Sequence, residues 1–234
     1  MIQRYSITTS KTQLSKFFKV AIPKGYKPVY NAAQTLQLPV ITSKEPDRVK
    51  LLQWGIIPYS STDAAIGDKL INARAKLIKV KQPYCDLIGN KRCVILADGF
   101  YIWKNVHGVS TPYRVMRTDE KPFAIAGVWD EWQLEDPEQE VNFKSFSMVT
   151  VPAFELTEKI EERMPAILNE KACKEWLSNQ NDVDELVKLL KTPDDQDFRM
   201  YKISNHVNNP DFNKPRVIKE VNTAKPGDTL GLFD

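Results

Sequence analysis

Arg92-Cys93-Val94-Ile95-Leu96-Ala97-Asp98-Gly99-Phe100-Tyr101-Ile102-Trp103-Lys104 is the stretch on which the fold turns. β-Branched and aromatic residues crowd it, so it reads as extended chain, with Asp98-Gly99 a bulge or turn in its middle. Downstream, Tyr113 to Arg117, Phe123 to Trp132 and Val141 to Val151 continue the strand pattern, and Phe198 to Ile203 closes it. Upstream, Arg4 to Thr8 reads as a strand, followed by a helix that Ser10 caps and Leu14, Phe17 and Phe18 make amphipathic. Leu38 to Thr42 and Arg48 to Trp54 form a hairpin, with its turn expected across Ser43-Lys44-Glu45-Pro46-Asp47. Ala73 to Val80 has helix-forming composition, and Glu155 to Glu161, Glu170 to Leu177 and Asp182 to Leu190 read as short helices. Sequential strands with peripheral helices predict an α+β fold built on a mostly antiparallel, barrel-like sheet. With no repeat or composition break, one domain is expected over residues 1–213, followed by a loosely attached polar tail over 214–234.

Composition narrows the function classes. Nine Gly against 15 Pro, with no GxGxxG or GxxxxGK[ST], argues against a glycine-hinged nucleotide-binding fold. The longest apolar stretches are about seven residues, as in Phe123 to Trp129, against the roughly 18 that suggest a membrane span. The first residues carry no secretory signal pattern, so a cytoplasmic protein is expected. Cys85, Cys93 and Cys173 are odd in number and never spaced CxxC. His107 and His206 are too few for a common His-rich metal site, and His107 reads as a solvated turn residue; neither metal nor cofactor is expected. The net charge is +3 but unevenly spread. Lys69 to Lys104 carries a local +6 and Asp119 to Glu140 a local −7, as a phosphate-binding face opposite an acidic one would.

Four segments in register resemble the SRAP family, the SOS response-associated peptidases or abasic site processing proteins. They are Arg4-Tyr5-Ser6, Ile71-Asn72-Ala73-Arg74-Ala75, the Arg92 to Lys104 run, and Arg163-Met164-Pro165-Ala166-Ile167-Leu168. Tyr30-Asn31-Ala32-Ala33 and Ser204 to Asn208 add support, and the match runs to about Asn209. The resemblance implies a DNA-damage protein that recognises abasic sites in single-stranded DNA. It also implies an N-terminal cysteine, exposed by removal of Met1, whose amine and thiol capture the abasic aldehyde as a thiazolidine. An Asn, a Glu and a His would assist, positioning the termini and moving protons.

This chain departs from that pattern. Ile2 stands for the cysteine, Ile102 for the glutamate, Glu161 for the histidine, and Lys76 for the glutamate usual after the Asn-Ala-Arg-Ala run; Asn72 alone of the catalytic set is kept. By the same resemblance Arg4, Arg74 and Arg163 line the DNA surface, where a guanidinium suits phosphate. Trp54 ends an apolar strand and reads as core, whereas Tyr59, after Pro58 in a loop, is a base-stacking candidate. The favoured expectation is a protein that binds single-stranded or abasic-site DNA without covalent capture, associated with the nucleoid when DNA-bound. The alternatives are an enzyme using its N-terminal amine as a Schiff base, with lyase or autopeptidase activity, and a pseudoenzyme that meets a protein partner through Asp119 to Glu140.

Overall fold

The computed structural model describes residues 1–136, 139–179 and 182–221, with backbone alone at 134–136 and 139–141. In chain order the strands are β1 (Tyr5–Ile7), β2 (Val29–Ala32), β3 (Gln37–Thr42), β4 (Glu45–Trp54), β5 (Asn72–Arg74), β6 (Arg92–Ala97), β7 (Gly99–Val106), β8 (Val109–Arg117), β9 (Phe123–Asp136), β10 (Gln139–Pro152), β11 (Arg163–Pro165), β12 (Ile167–Leu168) and β13 (Phe198–Lys202). The helices are α1 (Lys11–Phe18), α2 (Tyr84–Leu87), α3 (Glu155–Glu158), α4 (Glu170–Leu177) and α5 (Val183–Lys188), with short 3₁₀ turns between.

The Arg92 to Lys104 run joins two sheets. Every residue of β6 is buried, as expected of a strand covered on both faces, and β6 pairs with β3 and β9. Pairing then continues β3 to β4, β4 to β10 and β10 to β9, so β4, β3, β6, β9 and β10 close into a five-stranded barrel. Closure removes the exposed edges that an open sheet would leave. The β4 to β10 contact is parallel, as is the β5 to β10 contact, and the other pairings are antiparallel. After the break at Asp98, β7 enters a second sheet in the order β13-β8-β7-β1-β2. The α+β class and the barrel are thus as the sequence predicts, with a second sheet beside it.

Local expectations differ in two places. The β3–β4 turn is confined to Ser43-Lys44, and Glu45, Pro46 and Asp47 belong to β4, where Pro46 sits at the start of the strand and needs no donor. Ala73 to Val80 is not a helix: Asn72–Arg74 is held extended by β10, and only Ala75–Leu77 makes a 3₁₀ turn. Tertiary pairing outweighs helix propensity there. Ser10 does cap α1, in a reciprocal box with Gln13. Beyond residue 213, Val217 is buried against Tyr101, Ile203 and Val207, and the Val221 N–H donates to the Lys202 carbonyl at 2.9 Å. Residues 222–234 of the expected tail lie outside the described residues. Among the described residues no helix is long and apolar enough to cross a membrane.

The crossing at Asp98-Gly99 is held by a buried ion pair, Arg114 Nη2 to Asp98 Oδ1 at 2.9 Å. A Cβ at Gly99 would stand 2.5 Å from Arg114 Nε. We therefore expect Asp98→Ala to lose about 3–5 kcal/mol, since it strands a buried guanidinium, and Gly99→Ala to be destabilised in the same direction. Urea unfolding of both variants checks this; parental midpoints would contradict it.

Candidate functional site

The N-terminal segment, one end of the barrel and the chain after α3 meet at one place. Ile2 is 1% exposed and belongs to the main core, which also holds Ile102, likewise 1% exposed, on β7. The Asn72 amide nitrogen donates to the Ile2 carbonyl at 2.6 Å, while its Oδ1 is buried without a protein partner. Asn72 is itself fixed from two sides. The Tyr84 hydroxyl donates to its carbonyl at 3.2 Å, and Trp54 Nε1 donates to the carbonyl of the preceding Ile71 at 2.9 Å. Glu161 follows α3, its N–H bonded to Thr157 O at 2.9 Å, and its carboxylate pairs with the Met1 ammonium. Asn72, Ile2 and Glu161 are therefore adjacent around the chain terminus.

Two cations flank this point. Register places Arg74 opposite Thr150 of β10 on one side and Pro165 of β11 opposite the same threonine on the other. Arg163 reaches back to that threonine, Nε to Oγ1 at 3.0 Å and Nη2 to its carbonyl. Burial, and then the charge of Arg74, hold the Arg163 guanidinium below its ordinary value. Neither Arg74 nor Arg163 has an ion-pair partner among the described residues. The Glu162 carboxylate opposes the Arg163 shift without pairing with either guanidinium, and two like charges held this close are an arrangement that a further anion relieves.

The other expected residues are placed differently. Arg4 donates from Nη1 to Asn31 Oδ1 at 3.3 Å; burial lowers its pKa and Asp211 opposes that shift. The Asn31 amide in turn donates to the carbonyls of Val207, Asn209 and Phe212, so Arg4 rests on the C-terminal segment. Trp54 is fully buried, edge-on to Tyr5 at 5.1 Å, which agrees with the core reading. Tyr59 is 68% exposed, and its N–H donates to Asp130 Oδ2 at 2.8 Å. His107 is exposed in the β7–β8 turn with φ of +50°.

The basic face of the sequence is smaller in three dimensions. Arg92 is fully buried, and its guanidinium donates to the carbonyls of Trp176 (2.7 Å), Ile88 (2.8 Å), Gly89 and Ser178 (2.6 Å). It ties the C-terminal ends of α2 and α4 to β6 and is unavailable to phosphate. Lys91 is paired with buried Asp130 at 2.6 Å. Of the acidic face, Pro137 and Glu138 lie outside the described residues. Asp119, Glu120 and Glu131 are paired with Arg117, Arg199 and Lys144. Burial pushes the Cys173 thiol up to about 12, Cys93 is raised further, and Cys85 is raised too, so none of the three is favoured as a thiolate. Sequence reasoning missed Tyr84, Thr150 and the supporting role of Trp54, because each acts through a backbone or side-chain contact distant in the chain.

A family model for SOS response associated peptidase (SRAP) matches residues 1–210. The abasic site processing protein YoqW of Bacillus subtilis (strain 168) is 37% identical over 202 residues, covering 85% of this chain and 89% of that protein. The abasic site processing protein HMCES of Rattus norvegicus is 30% identical over 235 residues, covering 84% and 66%. An X-ray crystal structure of a protein from Bacteroides thetaiotaomicron superposes with a TM-score of 0.84 at 26% identity, over 93% of this chain and 99% of that one.

The two buried isoleucines have the packing of core residues. Ile102→Ala should cost about 2–5 kcal/mol, whereas Arg74→Ala, at an exposed position, should stay within about 0.5 kcal/mol. Urea unfolding of the pair decides it, and equal losses would contradict the assignment of Ile102 to the core.

Proposed function

This chain belongs to the SRAP family, and from that premise we propose that it binds single-stranded DNA, abasic-site strands included, without forming a stable covalent adduct. The observation that carries this reading is the contrast within one site. The nucleophile position is an isoleucine packed into the core, while Arg74 and Arg163 meet at Thr150 close to Asn72, neither in an ion pair among the described residues. Closing a thiazolidine needs an amine and a thiol on one residue, and Ile2 has no thiol. In this reading Arg4, Arg74 and Arg163 contact phosphate, Tyr59 offers a face to a base, Asn72 holds the terminal segment, and the protein works at damaged DNA in the cytoplasm.

A second reading is favoured by the contact between Glu161 and the Met1 ammonium. The carboxylate holds the terminus in place, and the fraction of the amine that has given its proton to solvent has a free lone pair to add to an abasic aldehyde. Loss of water then gives an imine, from which the strand is cleaved by β-elimination. This route needs no thiol and leaves no stable product on the protein.

Incubation with an abasic single-stranded oligonucleotide, followed by a denaturing gel, tests both. We expect no heat-stable protein–DNA band without reductant; such a band would overturn the first reading. A band that appears only after borohydride assigns the amine chemistry. Reversion gives a further expectation. Ile2→Cys with Ile102→Glu and Glu161→His should form the adduct, and Ile2→Cys alone should form little, because the imine step also needs a proton donor. Adduct yield, with Met1 removal followed by intact mass, measures this. A folded triple variant that has lost Met1 and forms no adduct would show that these positions do not carry the family's roles here.

A further inference from the structure

Between Asn72 and Gln82 the chain carries four cations, Arg74, Lys76, Lys79 and Lys81, and no anion. The run folds with part of its apolar surface inward. Ala73, Ala75 and Ile78 are buried, and all four cations are exposed. Lys79 is paired with Asp184, but Arg74, Lys76 and Lys81 have no ion-pair partner among the described residues. Val80, between two of the lysines, is 74% exposed. An exposed aliphatic side chain set among unpaired cations suits a ligand that has both anionic and apolar faces, as a nucleotide chain does.

The placement of the run matters as much as its charge. It begins at Arg74, across Thr150 from the Arg163 guanidinium, and leaves the site through the 3₁₀ turn Ala75–Leu77. It is therefore continuous with the arginine pair. Resting on the DNA-binding reading above, we propose that Lys76 and Lys81 are phosphate contacts that extend the nucleic-acid surface beyond the arginine pair, so that the protein grips the flank of the strand as well as the lesion. Each released counterion adds to the salt dependence of binding, which makes the contribution of a single lysine measurable.

Fluorescence anisotropy with a labelled oligothymidylate over a range of salt concentrations tests the proposal, using the parent, Lys76→Ala, Lys81→Ala, Lys76→Glu and the exposed control Lys24→Ala. Lys76→Ala and Lys81→Ala should each flatten the slope of log K against log salt by about 0.7 and weaken binding roughly three- to fivefold near physiological salt. Lys76→Glu should weaken it more, and Lys24→Ala should match the parent. Parental slopes for the Lys76 and Lys81 variants, with a salt-sensitive parent, would overturn this proposal and leave the DNA-binding reading intact. A parent that does not bind the oligonucleotide at all would overturn both. Displacement of the oligonucleotide by polyglutamate as readily as by unlabelled DNA of equal charge would assign the run to an acidic protein, against the proposal.

Discussion

The Asp98 carboxylate is the constraint on which the rest of the molecule depends. Oδ1 accepts from the Ser6 hydroxyl at 2.8 Å and from Arg114 at 2.9 Å. Oδ2 accepts from the Thr8 hydroxyl at 2.8 Å and from the N–H and hydroxyl of Thr9 at 2.9 and 3.0 Å. One buried group thereby joins the end of β1, the β6–β7 crossing and β8. Gly99 has to lack a side chain because the Arg114 guanidinium occupies that space. A buried ion pair adds little net stability over apolar packing, but its directional bonds fix one arrangement of the two sheets.

That arrangement builds the site. The N-terminal residues come from the β1 side of the molecule, whereas Asn72, Arg74 and Arg163 come from β5 and β11, which flank β10 of the barrel. The terminus meets Asn72 and Glu161 only because the sheets hold a set relation. Binding groups carried on rigid strands keep their geometry better than groups on loops. Arg92 does comparable work at the far end of β6, where four backbone carbonyls stand in for the counter-ion that a buried guanidinium otherwise needs.

The apolar residues at positions 2 and 102 are coherent with their surroundings in physical terms. A buried glutamate needs a partner for its charge, and a thiol needs an environment that favours the thiolate. Isoleucines at positions 2 and 102 remove both needs at once, and the two side chains enter the same core. Arg74 stands at the surface, and Arg163, half-buried, donates to Thr150.

The run of central strands, the cap at Ser10, the break at Asp98-Gly99 and the absent thiol at Ile2 were legible because each depends on residue type over a few neighbouring positions. The arginines at 74 and 163 sit in short, ordered motifs, and the fold sets both against Thr150. Helix-forming composition misled at Ala73 to Val80, where pairing with β10 overrides local preference. By itself the sequence determined most of the strands and the absence of a thiol at position 2. Only the tertiary structure decided that Arg92 is a buried tie between helices, that Glu161 faces the Met1 amine, and that Trp54 backs Asn72. Those outcomes are set by contacts such as Arg92 to Trp176, 84 residues apart in the chain. Burial and pairing are properties of what folding brings together, so residue type alone does not specify them.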